Sequence, residues 1–396
     1  MEKKAIRCCP ICSEEFVNIL HRQKFILPEG HPLAKGYDVV SCKKCGFVYA
    51  DVQVTQEAYD VFYAKFSKYG DTKTSTGGGQ NPFDTARLKE TARIIASILP
   101  DKDARIIDVG CANGGLLKEV YSLGYPHLLG VDPAEICIEQ TCSLYGIDAR
   151  IGTLSNLPVD IGHFDLVILS HVLEHIQDLH QAILQVSNLV SEGGKVYVEV
   201  PDATRYADHI SAPYQDFNTE HINHFSIKAI HNLFGKINFA PVQDAKRIIA
   251  INDNIDYPVI HTVLKRGSVE KSILYDKELN ENISRYISLS QDILNTLDKR
   301  LQEILICHPN VIVWGTGQLA MKLLAETCLG TANIIVFVDG NPVNHGNIIL
   351  GKPVISPLAL KVMDPYPIII TTLLHYRSIQ EDIQQLGLCN PVYILE

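Results

Sequence analysis

The sequence predicts an α/β protein: a doubly wound sheet, preceded by a small cysteine-bearing domain and followed by a second α/β unit. Three observations predict it. Short β-branched runs (RIIDVG, HLLGVD, FDLVILS, GKVYVEVP) alternate with helical patterns from residue 86 to about 265. Such alternation builds a mostly parallel sheet covered on both faces. Glycine-bearing turns follow a strand at Gly110 and again at Gly315, each before a helical pattern. Two CxxC pairs stand in the first 45 residues, where the chain is too short for a large core of its own.

The 396 residues suffice for two or three domains. With 46% hydrophobic and 20% charged residues the composition is that of a folded protein. A net charge of −10 argues against general nucleic-acid binding, which needs Lys and Arg to neutralise phosphates. No apolar signal core follows the opening MEKKAIRCCPIC, and no later run approaches a membrane span. The expectation is a cytoplasmic protein with no membrane partner, acting as a monomer or homodimer.

The first domain, residues 1–55, carries Cys9 and Cys12 in CCPIC and Cys42 and Cys45 in SCKKCGF. Each knuckle brings two thiolates to one ion, which suits tetrahedral structural zinc with no open position for catalysis. Cys8 adjoins Cys9 and is an alternative ligand. Zinc binding can supply roughly 10–16 kcal/mol of folding energy to such a unit. Residues 56–85 are a linker with Tyr59, Tyr63 and Tyr69, ending in breaker-rich TSTGGGQNP.

The core, residues 86–265, opens with a strand and the turn DVGCANG, residues 108–114, followed by VDP, residues 131–133. Gly110 and Gly114 allow a ligand close to the backbone, and Asp132 after the second strand can hold ribose hydroxyls. NAD enzymes share this pattern, so the turn alone leaves the cofactor open. HVLEH, residues 171–175, matches an inverted zinc-protease motif. On a helix His171 and His175 would share a face. Its place after a strand points instead to the ligand-binding cleft at the strand's carboxyl end.

The stretch FNTEHINHFS, residues 217–226, sets Glu220 and His221 side by side with His224 three residues on. No third metal ligand is evident nearby, so acid–base chemistry is the stronger reading. A hydrogen-bonded loop under the sheet is the plain alternative.

Residues 266–308 form a connector. Ile273, Leu279, Ile283, Ile287, Ile293, Leu297, Leu301 and Ile304 recur at helical spacing, which predicts one long amphipathic helix or two. Residues 309–396 begin VIVWGTGQLAMKLL, followed by IIVFVDGNP with Asp339. Its G-x-G-x-x-A turn is a phosphate cradle that suits NAD, a nucleotide-sugar pyrophosphate, or no ligand at all.

The core resembles class I S-adenosylmethionine-dependent methyltransferases. DVGCANG, Val131-Asp132, Phe164-Asp165-Leu-Val and Glu192-Gly-Gly-Lys-Val carry the resemblance, with Ala112 where a glycine is usual. The resemblance implies a class I methyltransferase doubly wound sheet, flanked by the small zinc-binding domain and a C-terminal Rossmann-like domain. It implies cofactor contacts from Asp108, Gly110, Cys111, Asn113, Gly114, Asp132, Pro133, Thr153, Leu154 and Ser170.

The order of all parts is similar to the nucleotide-sugar C-methyltransferases, which methylate a carbon beside the keto group of a deoxy-sugar nucleotide. Glu220-His221 followed by Phe225-Ser226, and His175-Ile176, look like that family's catalytic segments. A tyrosine of the family is similar to Tyr69, and Asn218 stands where it often has another. The implied roles are His221 as base, Glu220 as its partner, His175 as donor to the enolate oxygen, and Tyr69 near them. Asn218, Asn223, His224, Gly315, Gly317, Gln318 and Asp339 are then expected to meet the nucleotide-linked keto-sugar. Oxygen or nitrogen methylation of a small metabolite, a non-catalytic sugar-nucleotide-binding module and an RNA methyltransferase are the other readings.

Overall fold

The computed structural model describes residues 2–65, 81–269, 272–373 and 375–395. The chain opens with β1 (Glu2–Lys4), β2 (Phe16–Lys24), β3 (Gly36–Cys42) and β4 (Val48–Asp51), then helix α1 (Gln56–Lys65). All four residues of β4 are buried. Helix α2 (Pro82–Ile98) starts where the sequence Asn-Pro dictates. The Asn81 side chain accepts from Phe83 N, and Pro82 fills a position with no hydrogen bond to lose.

The core follows as β5 (Ile106–Val109), α3 (Gly115–Ser122), β6 (Leu128–Asp132), α4 (Glu135–Tyr145), β7 (Asp148–Ile151), β8 (Phe164–Ser170), α5 (Leu179–Leu189) and β9 (Val190–Pro201). After a long loop come β10 (Asn223–His224), α6 (Ile227–Gly235), β11 (Phe239–Asn252) and β12 (Ile255–Arg266). The sheet order is β11-β12-β9-β8-β5-β6-β7. Strands β5 to β9 pair in parallel, while β12 runs antiparallel to both β9 and β11. The carboxyl ends of β5, β6, β8 and β9 therefore share one edge, which is where such sheets bind ligands. Ile106, Leu117, Val120, Leu166, Ile168 and Tyr197 are among the side chains that fill the core beneath it.

Strand β10 joins the first sheet, not the core sheet. It pairs antiparallel with β4, Asn223 opposite Tyr49 and His224 opposite Val48, completing the order β1-β2-β3-β4-β10. The cysteine-bearing sheet is thus closed by residues that immediately follow His221.

Helix α7 (Lys277–Cys307) is a single helix of 31 residues. It begins at Lys277, later than the periodicity alone suggests, because the Asp276 carboxylate accepts from Leu279 N and caps it. Its buried positions include Leu279, Ile283, Tyr286, Leu294, Leu297 and Leu301, whereas the expected Ile287 and Ile293 are only half-buried. Next come β13 (Asn310–Trp314), α8 (Gln318–Glu326), β14 (Asn333–Val338), β15 (Ile348–Ile349), β16 (Lys352–Ile355), β17 (Ile368–Ile370), α9 (Tyr376–Leu386) and β18 (Val392–Ile394). Their sheet order is β15-β16-β14-β13-β17-β18, parallel from β16 to β18, around a core that includes Ile312, Trp314, Val338 and Ile370.

Two compact units cut across the domain boundaries expected from sequence. One comprises residues 1–20, 40–209 and 220–283; the other comprises 21–39, 210–219 and 284–396. Among the described residues no helix is long and apolar enough to cross a membrane.

Candidate active site

The turn after β5 is built by glycines in the left-handed region. Gly110 has φ +84°, and a β-carbon there would lie 2.7 Å from Val172 Cγ2. Gly114 has φ +73°, and its β-carbon would lie 2.6 Å from the Thr141 methyl. Ala112 also takes a positive φ, 46°, where glycine is easier. Asp132 holds this strained residue in place: one carboxylate oxygen accepts from Ala112 N (2.9 Å), the other from Ala134 N (2.9 Å). Asp132 thus shapes the turn as well as ending β6.

Burial pushes the Asp132 carboxyl up to about 6, against the pull of those two amides. Burial, then the neighbouring Asp132 charge, pushes Asp108 up to about 7. Asp108 Oδ1 is buried with no hydrogen-bond partner among the described residues. A carboxylate pair this uncomfortable is matched by a cationic ligand, and S-adenosylmethionine carries an ammonium and a sulfonium. The residues therefore fit that cofactor. Cys111, Asn113 and Leu154 are buried around the turn and the strand ends, with Pro133, Thr153 and Ser170 half-buried. Thr153 closes a small bridge with Asn156, its N–H donating to Asn156 O at 3.1 Å.

After β8 the chain makes no α-helix at HVLEH. His171 takes φ +57°, and residues Leu173–His175 form a single 3₁₀ turn. The shared helical face that a zinc-protease motif would need from His171 and His175 is therefore not formed. His171 meets two carboxylates: Nδ1 lies 3.2 Å from Glu174 Oε1 and Nε2 lies 3.6 Å from Glu199 Oε1. Burial disfavours its charged form, but the hydrogen bonds and charges of Glu174 and Glu199 outweigh that and hold it at about 9. Glu199 is fully buried, accepts from Tyr197 OH (2.7 Å) and pairs with Arg247, which also donates to Thr91. Burial opposes its ionisation, yet His171 and Arg247 hold it well below the usual carboxylate range.

His175 faces a different neighbour. Its Nδ1 donates to Glu220 O (3.1 Å), and its ring meets the His221 ring edge-on with centroids 4.8 Å apart. Glu174, His175 and His221 bring ligand atoms within 4.8 Å of one another, so the fold supplies the third polar group that the local sequence lacked. Two more bonds tie these loops: Ile222 N donates to Glu174 O (2.8 Å), and Asn223 Nδ2 donates to Leu173 O and Ile176 O (2.8 Å each). Substrate contact expected at Asn223 and His224 gives way to a structural role. Asn223 is buried, and its carbonyl oxygen accepts from Arg7 (3.0 Å). His224 is sealed, and burial pulls its imidazole down to about 3. Tyr69 lies outside the described residues.

The four expected cysteines converge and are buried, whereas Cys8 is exposed. Cys9 Sγ lies 3.5 Å from Cys45 Sγ, and Cys12 Sγ lies 3.4 Å from Cys42 Sγ. A tetrahedral zinc with bonds of about 2.3 Å sets its sulfurs roughly 3.8 Å apart, so the set fits the ion with slight expansion. The second knuckle needs Gly46, at φ +73°, because a β-carbon there would meet Asp276 O at 2.7 Å.

In the other unit, Gly315 takes φ +107° and Gly317 precedes α8. Asp339 spends one oxygen on Thr316 N (3.0 Å) and the other on Asn341 N (2.8 Å). It stiffens this turn much as Asp132 stiffens the first. Gln318 donates to Thr219 Oγ1 (2.8 Å), and Asn218 donates to Gln215 O (3.3 Å).

Sequence reasoning passed over Glu199, Arg247 and Arg7. Glu199 carries a signal, since it is the lone charge in the apolar run VYVEV. Arg247 and Arg7 carry none, being remote from their partners in sequence.

Residues 83–244 match a family described as a methyltransferase domain, and residues 307–391 match one described as C2185-like, N-terminal. A ubiquinone biosynthesis O-methyltransferase of Azorhizobium caulinodans is 32% identical over 113 residues, 27% of this chain and 44% of that protein. A tRNA U34 carboxymethyltransferase of Vibrio cholerae is 30% identical over 114 residues, 27% of this chain and 35% of that protein. The chain thus spans less than half of either relative. Among solved structures, the N-methyltransferase NodS of Bradyrhizobium japonicum with S-adenosyl-L-homocysteine aligns at 18% identity and TM-score 0.36, over 47% of this chain and 89% of that one.

Proposed function

We propose that the chain, whose residues 83–244 belong to the class I S-adenosylmethionine-dependent methyltransferases, methylates a carbon beside the ketone of a nucleotide-linked deoxysugar. The observation that carries this reading is the meeting of Glu220-His221 with His175, ring centroids 4.8 Å apart. Carbon methylation needs a base for an acidic C–H and a donor for the enolate oxygen, and oxygen methylation needs only the base.

In this reading His221 takes the proton from the carbon next to the ketone, and the Glu220 carboxylate steadies the imidazolium that results. His175 donates from Nδ1 to Glu220 O, and in the protonated ring Nε2–H is the donor to the enolate oxygen. S-adenosylmethionine, when bound, supplies an electrophilic methyl group. Asp108, Gly110, Gly114 and Asp132 hold it, and fixed geometry then governs the rate. Cys9, Cys12, Cys42 and Cys45 hold a structural zinc. In the other unit, the Gly315–Gln318 turn at the start of α8 suits a phosphate group.

The test is mass spectrometry of the full chain with methyl donor and a panel of 4-keto-6-deoxy nucleotide sugars. Solvent deuterium should enter the acceptor carbon even without methyl donor. His221→Asn should lower turnover about 10²–10⁴-fold, the range general base catalysis supplies, with cofactor affinity retained. Product methylated on oxygen, with no deuterium exchange, would favour the second reading. That reading is O-methylation of a small metabolite, the activity named for the ubiquinone-biosynthesis relatives.

A further inference from the structure

Arg7 immediately precedes the first cysteine knuckle and is buried. Its backbone is pinned to β4 on both sides: Arg7 N donates to Asp51 Oδ1 (2.8 Å), and Tyr49 OH donates to Arg7 O (2.9 Å). Its side chain leaves that sheet and enters the two loops that carry the histidines. One nitrogen donates to Ile176 O (3.2 Å), Gln177 O (2.5 Å) and Asn223 Oδ1 (3.0 Å); the other reaches Ile222 O (3.5 Å). Every acceptor lies within two residues of His175 or His221. These hydrogen bonds go to backbone carbonyls and the Asn223 amide oxygen, not to the imidazoles.

We infer that Arg7 is a positioning residue for the His175–His221 pair, its guanidinium gathering the carbonyls on either side of them and so setting the edge-on approach of the two rings. A planar fork of fixed N–H directions suits this task, because it fixes several acceptors relative to one another. A lysine keeps the charge but not the fork. An arginine stays charged at neutral pH, so the guanidinium can donate to all of its acceptors. The Asn223 clamp alone joins the loops through Leu173 and Ile176, but it does not reach Gln177 O or Ile222 O. The consequence is that the knuckle sheet, which has no part in the chemistry, dictates where the acid–base pair stands.

This inference rests on the acid–base roles proposed above, and its test separates the two. The full chain, labelled at histidine with ¹⁵N, is compared with Arg7→Met and Arg7→Lys by NMR, by cofactor affinity, by metal content and by steady-state kinetics. The expected result is loss of the His175–His221 inter-ring cross-peak in Arg7→Met and its weakening in Arg7→Lys. Affinity for S-adenosylmethionine should stay within about twofold, since the Gly110–Gly114 turn is untouched, while kcat falls about 100-fold at little changed KM. An Arg7→Met protein that keeps the cross-peak and its kcat overturns the inference. Loss of cofactor binding in both variants overturns it too, because Arg7 would then be holding the fold at large. Should Arg7→Met not fold, Arg7→Lys alone decides between these outcomes. If the cross-peak is lost as expected but the wild-type chain exchanges deuterium into no keto-sugar, the positioning role stands and the carbon-methylation reading falls.

Discussion

Glu199 is fully buried, yet it keeps its charge because Arg247, His171 and the Tyr197 hydroxyl converge on it. Glu199→Gln should therefore cost about 3 kcal/mol near pH 6, the order found when one partner of a buried ion pair is removed. The pH dependence has a definite sign. Glu199, depressed in the fold, contributes above its ordinary value of 4.5 and loses that contribution as pH falls. His171, raised to about 9, contributes fully below its ordinary 6.5 and loses that contribution as pH rises through 9. The stability gap between wild type and variant should be widest between those two ordinary values and should close toward either extreme. Urea unfolding across pH checks it, and a constant gap would mean the network carries little charge coupling. At this scale the sequence is legible where spacing is short. The two CxxC pairs and the glycines of DVGCANG announce their sites within a few residues. Glu199 and Arg247 stand 48 positions apart, and Arg7 is 169 from Ile176, so only folding reveals either partnership.

Between residue and fold, the informative segment is HVLEH. Its spacing would suit a metal-binding helix, but its place after a strand points to the cleft instead, and there His171 takes a positive φ and the turn closes as 3₁₀. A hydrogen bond from His171 to Glu174 and an ion pair with Glu199 hold a backbone conformation that propensity disfavours. That geometry lays Val172 over the first glycine of the neighbouring turn, so the strand-end segments after β5 and β8 are built as one piece. Gly110→Ala should break this joint, since its β-carbon would come 2.7 Å from Val172 Cγ2 at φ +84°. The expected outcome is a loss of S-adenosylmethionine affinity of at least about tenfold, equivalent to ~1.4 kcal/mol, read by calorimetry. An Ala variant that binds the cofactor normally would show that the turn can shift without consequence for the ligand. The alternation of strand and helix, by contrast, was plain from the β-branched runs, because parallel strands buried on both faces leave a near-continuous apolar signature.

In the assembled chain, the sheet that carries the cysteines is finished by β10, two residues that come directly after His221 and Ile222. No local pattern in the sequence shows this, because β5 to β9 of the core sheet lie between β4 and β10 in the chain. The cysteine-bearing sheet is thus tied through β10 to the backbone that carries Glu220 and His221. If the four thiolates hold zinc, roughly 10–16 kcal/mol of folding energy is tied to the ion. Metal analysis should find one zinc per chain, at the cysteines. One Glu174 oxygen is already paired with the positively charged His171, and four converging thiolates are the softer, stronger set for zinc, so the ion should choose the cysteines over the Glu174, His175 and His221 group. Removing zinc with a strong chelator should then strip hydrogen-exchange protection from β4, β10 and the loop at residues 220–222. The amides of β13, β14 and β17, packed around their own core of Ile312, Trp314 and Val338, should keep theirs. Readdition of zinc should restore both protection and methyl transfer. A chain that holds no metal, or one that sheds it with β10 still protected, would show that the cysteines are reduced core residues and that pairing with β4 holds the loop at residues 220–222 unaided.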